Sequence, residues 1–336
     1  MRILTVNAGS SSLKLSLVQD GESVRTYHDL DAALADAAPH AVGHRVVHGG
    51  HRTSPELVDD AVRAELDALT DLAPLHQPAA LRAIDRTRAA WPHLPQVACF
   101  DTTFHTTIPP AASTYPLPRR LRDLGVRVYG FHGLSHAWAS ARAAERVPGA
   151  RRVLVAHLGS GASLCAVLDG RSVDTTMGFT PLDGLVMATR CGALDPGAVT
   201  WLASHTSEDL ACVLEQDCGL LGLCGAADIR EVITRAGNGN DDAQLALEVW
   251  WHRLVRLCGA MVAALGGLDV LALTGGIGEH NEAVRAGLLD RLAWLGAGNT
   301  APVLVIPTRE DLQMAAETSR LLDTSRSATI PADGHR

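Results

Sequence analysis

Short apolar runs rich in β-branched residues recur at 3–6, 13–18, 42–47, 97–100, 153–157, 163–168, 270–273 and 303–306. Their length and the glycine or polar residues that bound them predict strands. Segments with a helical period lie between them, so the alternation predicts an α/β fold. Two helix starts are explicit, because Ser54-Pro55 and Asp195-Pro196 each set a capping side chain before a proline suited to the first turn. Over 241–265, Leu247, Trp250, Leu254, Leu257, Met261 and Leu265 fall on one stripe, with Trp251, Val255 and Val262 leaving little polar surface opposite. That pattern predicts a helix buried on two sides, within one lobe or at a homodimer interface.

An internal echo organises the chain. Residues 6–21 read VNAGSSSLKLSLVQDG and residues 156–170 read AHLGSGASLCAVLDG. Both spell strand, Gly-Ser turn, strand, Asp-Gly turn, which predicts two lobes of related fold around a cleft. A length of 336 residues agrees, being too great for one ordinary core. The polar stretch 145–152 suggests a boundary near 150, with 1–150 as the first lobe and 151–310 as the second.

Composition narrows the classes. With 47% hydrophobic and 20% charged residues the chain is globular rather than disordered. A net charge of −8 offers no basic field for a nucleic-acid backbone. No apolar run is long enough to span a membrane, and MRILTVNAG is a strand pattern rather than an export signal, so a cytoplasmic protein with no membrane partner is expected. The 7 cysteines are scattered without a C-x-x-C pair, which argues against a disulfide framework or a zinc site.

Candidate chemistry begins at NAGSSSLK, residues 7–14. Small residues let backbone N–H groups approach an oxyanion, and the hydroxyls of Ser10, Ser11 and Ser12 add donors. The pattern is neither a P-loop nor a dinucleotide fingerprint. Of the 29 basic residues all but Lys14 are arginine, so this hairpin keeps the chain's one compact ammonium, the group suited to meeting a phosphate as a point charge. HLGSGAS at 157–163 repeats the turn. LTGGIGEHN at 273–281 follows a strand and precedes a helix, which suits an adenosine or phosphate at a helix N-terminus. GHRVVHGG, FDTTFH, YGFHGLSH and DTTMGFTPLDGLVMATRCG are also dense in polar and ionisable residues.

Taken in order, NAGSSSLK, HRVVHGG, APLHQP, FDTTFH, YGFHGLSH, HLGSGAS, TMGFTPLDGL, CGAADIR, TGGIGEH and PTRED resemble the successive motifs of the acetate kinases over nearly the whole chain. The resemblance implies two ribonuclease-H-like lobes of the actin-like ATPase superfold around a nucleotide cleft, homodimers formed through the second lobe, and a C-terminal helix, from about 311, that returns to the first. By position, Asn7 and Glu310 correspond to the Mg²⁺ site, with Mn²⁺ as an alternative metal, and Asp101 lies close to it. Ser10, Ser12 and Lys14 face the phosphates. Arg45 and Arg190 correspond to the arginines that hold acetate and the transferring phosphoryl group, His132 to the transition-state donor, and His76 to a supporting position. Val47, Leu75, Phe131 and Pro181 match the acyl pocket. The hairpin His157, Leu158, Gly159, Ser160 and Gly161, the segment Asp228, Ile229 and Arg230, and the cluster Gly276, Ile277, Gly278, Glu279 and His280 match the ATP/ADP-binding segments.

The chemistry of the residues fits that assignment. A carboxylic acid is already ionised at neutral pH, so the nucleophile requires no strong base. The difficulty is bringing a carboxylate to a polyanion, which calls for cations and aligned donors such as Arg45, Arg190 and His132. Direct in-line transfer between ATP and acetate, giving acetyl phosphate and ADP, is the expected reaction. A propionate-preferring acyl kinase and a weakly active nucleotide-binding homologue are the alternatives. A sugar kinase would need a general base and a large polar pocket, which the small apolar set does not offer.

The chain is shorter than the usual family member, chiefly between 19 and 43 and between 296 and 303. It carries Ser160 where the family motif has Asn, Cys191 and Ala193 in place of the Ser and Asp of TRSGD, His280 in place of the Asn of GEN, and Arg309 before Glu310.

Overall fold

The computed structural model describes residues 1–9, 13–74 and 76–328, the last four by backbone alone. Two compact units result, Met1–Phe104 with the segment from Arg309 onward, and His105–Thr308.

The first unit holds β1 (Arg2–Ala8), β2 (Leu13–Gln19), β3 (Glu22–Tyr27), β4 (Ala41–Val46), β5 (Glu56–Leu57) and β6 (Gln96–Phe100) in the order β3-β2-β1-β4-β6-β5. The second holds β7 (Arg152–Leu158), β8 (Ala162–Leu168), β9 (Arg171–Thr175), β10 (Val270–Thr274) and β11 (Val303–Val305) in the order β11-β10-β7-β8-β9. Leaving aside the edge strand β5, each sheet runs as an antiparallel meander of three strands followed by two parallel ones. This is the ribonuclease-H-like arrangement, present twice.

The sequence echo has a structural counterpart down to its irregularities. Asp20 (φ 52°) and Gly21 (φ 83°) make the same two-residue left-handed turn as Asp169 (φ 50°) and Gly170 (φ 75°), the hairpin geometry that matches strand twist. A register shift follows in each copy, at Leu17/Val18 and at Ala166/Val167. β3 and β9 escaped the hydrophobic pattern because they are edge strands; β3 has no fully buried residue.

Three expectations need correction. The units divide at Phe104/His105 rather than near 150, because the helix Gly133–Arg146 packs on β7 and β10, where it buries Leu134, Ala139 and Ala143. Ser54-Pro55 does not start a helix. Glu56–Leu57 pairs with β6, and the next helix, Asp60–Asp67, is capped by Asp59. The long helix spans Asp241–Leu265 as expected but buries one face, through Ala243, Ala246, Trp250, Leu254, Cys258, Met261, Val262 and Leu265. Leu247, Trp251, Val255 and Leu257 are half-buried flanks, and Trp251 packs edgewise against Gly287 and under Arg291. The start at Asp195-Pro196 holds, with Asp195 accepting from the Gly197 N–H of the helix Pro196–Ala203.

The C-terminal helix Glu310–Ala328 returns to the first unit and lies across β1, β2 and β4. Glycine at 43 makes this close approach feasible, since a Cβ there would stand 2.6 Å from Thr318 Oγ1. The same packing buries Glu317, whose Oε1 accepts from Gln313 while Oε2 has no hydrogen-bond partner among the described residues. Burial raises its pKa from 4.5 to about 7.

A carboxyl whose folded pKa lies above its unfolded value stabilises the fold at low pH. That contribution is lost as pH rises from about 4.5 to about 7. Glu317→Gln is therefore expected to stabilise the protein at pH 8 by roughly 3 kcal/mol at most and to change little at pH 4.5. Unfolding curves at the two pH values check this, and a variant no more stable than the parent at pH 8 would contradict it.

Candidate active site

In the first unit, β1, β4 and β6 run parallel side by side, with Val6 opposite His44 and Val46 opposite Phe100. Their carboxyl ends therefore lie together, where α/β sheets place ligands. Asn7 is near the end of β1, Arg45 near the end of β4, Asp101 directly after β6, and Glu310 opens the returning helix. These four side chains form one network. Arg45 donates from Nε to Asp101 Oδ1 at 2.9 Å and from its second terminal nitrogen to Oδ2 at 2.6 Å. Its first terminal nitrogen donates to Asn7 Oδ1 at 3.1 Å and stands 3.8 Å from Glu310 Oε2. Asn7 Nδ2 donates to the same Glu310 oxygen at 2.6 Å.

Burial acts to lower the Arg45 pKa, but the adjacent Asp101 and Glu310 charges outweigh it and hold the guanidinium above its ordinary range. The hard oxygen donors are the Glu310 carboxylate and the Asn7 amide, while Asp101, only 1% exposed, is committed to Arg45. That chemistry fits a small divalent cation that keeps waters and phosphate oxygens in its shell.

The other expected residues of this unit are more scattered. Lys14 lies opposite Asn7 in the hairpin register and is exposed. Val47 is buried directly after β4, and His76 stands at the N-terminus of the helix Gln77–Ala90. Ser10, Ser12 and Leu75 lie outside the described residues. The turn of HRVVHGG is braced by Gln77, which hydrogen-bonds both the N–H and the carbonyl of His48. Gly49 fits against Phe100, where a Cβ would come within 2.8 Å.

In the second unit, His132 occupies a left-handed conformation (φ 57°) as the N-cap of the helix Gly133–Arg146. A non-glycine residue held there costs energy that surrounding contacts must offset, a feature common at functional sites. Its ring stacks on His157 with centroids 4.4 Å apart, and its Nδ1 is 2.9 Å from Ser163 Oγ. The absence of a side chain at Gly161 leaves room for two groups, because a Cβ there would lie 2.9 Å from an Arg190 terminal nitrogen and 3.4 Å from His132 Nε2. Arg190 donates from its other terminal nitrogen to the Pro181 carbonyl at 2.9 Å. Burial lowers the Arg190 pKa, with Glu215 acting in the opposite direction. His105 braces Phe131, its Nε2 donating to the Phe131 carbonyl at 2.9 Å.

A cavity of about 510 Å³ in this unit gathers Gly159, Ser160, Asp228, Ile229, Arg230, Gly276, Ile277 and His280. Five expected residues do not line it. Leu158 is buried in β7, whereas His157 and Gly161 face the His132 and Arg190 cluster. Gly278 packs on Leu273, and Glu279 is a brace, accepting from the N–H groups of Gly275 and Thr308 and from the Thr308 hydroxyl. The cluster GGIGEH is itself a short helix, Gly275–His280. The floor comes from Met187, Leu220 and Trp250, with Ala188 and Asn281 beside them. Sequence reasoning placed Trp250 on a core stripe and missed its second face. Ser163 and His136 close the motifs HLGSGAS and YGFHGLSH, where no local pattern separates them from their neighbours.

Two ribonuclease-H-like units, one with an oxygen-rich arginine network and one with a clustered Arg–His pair beside a nucleotide-sized cavity, define a phosphotransferase of the actin-like ATPase fold. The family model described as the acetokinase family matches residues 28–311, and the chain belongs to that family. It is 41% identical to an acetate kinase of Clavibacter michiganensis subsp. michiganensis, covering 94% of this chain and 98% of that one. Among solved structures it resembles a propionate kinase from Francisella tularensis, with a TM-score of 0.87, 35% identity and coverage of 94% and 98% of the two chains. An acetate kinase from Porphyromonas gingivalis matches with a TM-score of 0.84, 30% identity and coverage of 96% and 99%.

Proposed function

We propose that the chain is an acetate kinase that transfers the γ-phosphoryl group of ATP reversibly to acetate, giving acetyl phosphate and ADP by direct in-line displacement with Mg²⁺. The observation that carries this reading is the convergence of Arg190 and His132 on the space left by Gly161. A cation and an imidazole aimed at one point suit the charge of a transferring phosphoryl group. In the first unit, Asn7 and Glu310 are the residues to hold the metal, with Asp101 fixing Arg45 as the cation for the acyl carboxylate. Bound Mg²⁺ offsets negative charge on the phosphate oxygens. The apolar floor of the cavity suits an adenine, and Asp228 at the N-terminus of the helix Ile229–Gly237 supplies a polar rim. A homodimer formed through the second unit is proposed together with these roles. Among the described residues no single helix is long and apolar enough to cross a membrane, and a cytoplasmic site of action is proposed with the rest.

The test is a hydroxylamine trap for acyl phosphate with ATP, Mg²⁺ and a series of short acids. Product with acetate supports the reading, and a higher kcat/KM with propionate would shift the substrate. No product with any acid would leave a nucleotide-binding module. A phosphoenzyme accumulating with ATP alone would rule out direct displacement.

Ser160 bears on the rate. It is exposed, lines the cavity, and its carbonyl accepts from Ala188 N–H at 3.1 Å. Ser160→Asn adds a longer donor and is expected to raise kcat by about 10-fold, the worth of one hydrogen bond to a charged group. A turnover no higher than the parent's would show that the serine limits nothing.

A further inference from the structure

The structure assigns Ser163 and His136 as positioning residues that hold His132 in the neutral tautomer carrying its proton on Nε2. This rests on the phosphotransfer reading for its consequence, although the tautomer itself does not depend on it.

One hydroxyl sits between two imidazoles. Ser163 Oγ, fully buried on β8, lies 2.9 Å from His132 Nδ1 and 2.7 Å from His136 Nε2. A serine hydroxyl has a single proton to donate, so when it donates to one ring nitrogen it can only accept from the other. Two arrangements satisfy the chain of bonds; a third, with the hydroxyl accepting from both rings, leaves its own buried proton without an acceptor among the described residues. In the first, His136 Nε2–H donates to Ser163 and Ser163 donates to His132 Nδ1, which puts the His132 proton on Nε2. In the second, every bond is reversed.

The far side of His136 decides between them. Its Nδ1 is buried with no hydrogen-bond partner among the described residues. In the reversed arrangement neutral His136 must carry its proton on that atom, leaving a buried N–H unsatisfied, a rare and costly condition. The first arrangement leaves only a lone pair there. Burial holds His136 well below its ordinary pKa, reinforced by His105 and His157, so the doubly protonated ring is not an escape. His105 is itself committed, donating from Nε2 to Phe131 and meeting Ser172 Oγ at 2.8 Å through Nδ1.

The consequence lies at Nε2 of His132, the atom that with the Arg190 guanidinium borders the space left by Gly161. An N–H there donates to a phosphoryl oxygen; a bare nitrogen would repel it. The role of the relay is thus to fix a donor before substrate arrives, as the orienting partner of a catalytic histidine does elsewhere.

Nitrogen-15 NMR of histidine-labelled free protein at neutral pH tests the tautomer without any assay of activity. The expected spectrum shows His132 with a protonated Nε2 and an unprotonated Nδ1. Ser163→Ala should change the His132 Nδ1 shift and lower kcat by about 10- to 100-fold with KM for both substrates nearly unchanged. Ser163→Thr, which keeps the hydroxyl, should restore the parent's spectrum and much of its kcat, and His136→Gln, whose amide can still donate to Ser163, should retain the His132 tautomer. A parent protein with the His132 proton on Nδ1, or a Ser163→Ala protein with unchanged His132 shifts or unchanged kcat, would overturn the assignment. Failure of the parent to form any acyl phosphate would instead sink the functional reading and leave the tautomer result standing.

Discussion

Replacing Arg190 by alanine is expected to lower kcat by about 10³- to 10⁵-fold, the range over which a transition-state arginine acts in phosphoryl transfer, with smaller changes in KM. The guanidinium is held by the Pro181 carbonyl at 2.9 Å and has its other terminal nitrogen over Gly161. Its place is therefore set before substrate binds, and a site that is already organised loses most when the charge is removed. Arg190→Lys should recover little, because an ammonium cannot both accept this anchoring geometry and span to the phosphoryl oxygens. The hydroxylamine assay gives the rates, and thermal unfolding shows whether the variant remains folded. A folded Arg190→Ala protein within tenfold of the parent would remove Arg190 from the chemistry.

The second large effect is expected at Asp101. Its carboxylate is 1% exposed and takes a forked contact from Arg45, whose side chain is 13% exposed. Removing one partner of a buried ion pair typically costs about 3 to 5 kcal/mol, and the Glu310 carboxylate, still 3.8 Å from Arg45, keeps the loss toward the lower end of that range. Asp101→Asn should therefore destabilise the first unit by an amount of that order and release Arg45 from its fixed orientation. Activity should fall by about 10²-fold or more, since misplacing a positioned group by an ångström has that effect. Pairing it with Arg45→Gln removes both charges, and the double variant is expected to regain part of the stability and none of the activity. Equal stability of the parent and the single variant in urea unfolding would show that the pair carries no such weight.

How much of this was readable beforehand differs between elements. All eight apolar runs became strands; seven are largely buried, and a buried strand must be apolar along its length, whereas β11 is apolar although it is an edge strand with no fully buried residue. The edge strands β3 and β9 were invisible for the complementary reason, being exposed on one face or both. The Ser54-Pro55 reading failed because a local capping signal competes with tertiary pairing, and Val58 N–H bonds to the Gln96 carbonyl as the segment joins β6. The boundary near 150 failed because a polar stretch marks a loop, and only the packing of the helix Gly133–Arg146 says which sheet owns it.

By itself the sequence determined the class of fold, the duplicated hairpin with its Asp-Gly turns, the lone Lys14 in the first of those hairpins, and the family through ordered motifs. These are local or cumulative signals, carried by residue type and spacing. Only the tertiary structure decided which motif residues act and which brace. Glu279 turned from the cavity to tie Thr308, Trp250 proved to floor the cavity from a core helix, and Ser163 came to lie between two histidines. The direction of a side chain and the proton on a ring nitrogen depend on neighbours distant in sequence, and no local pattern records them.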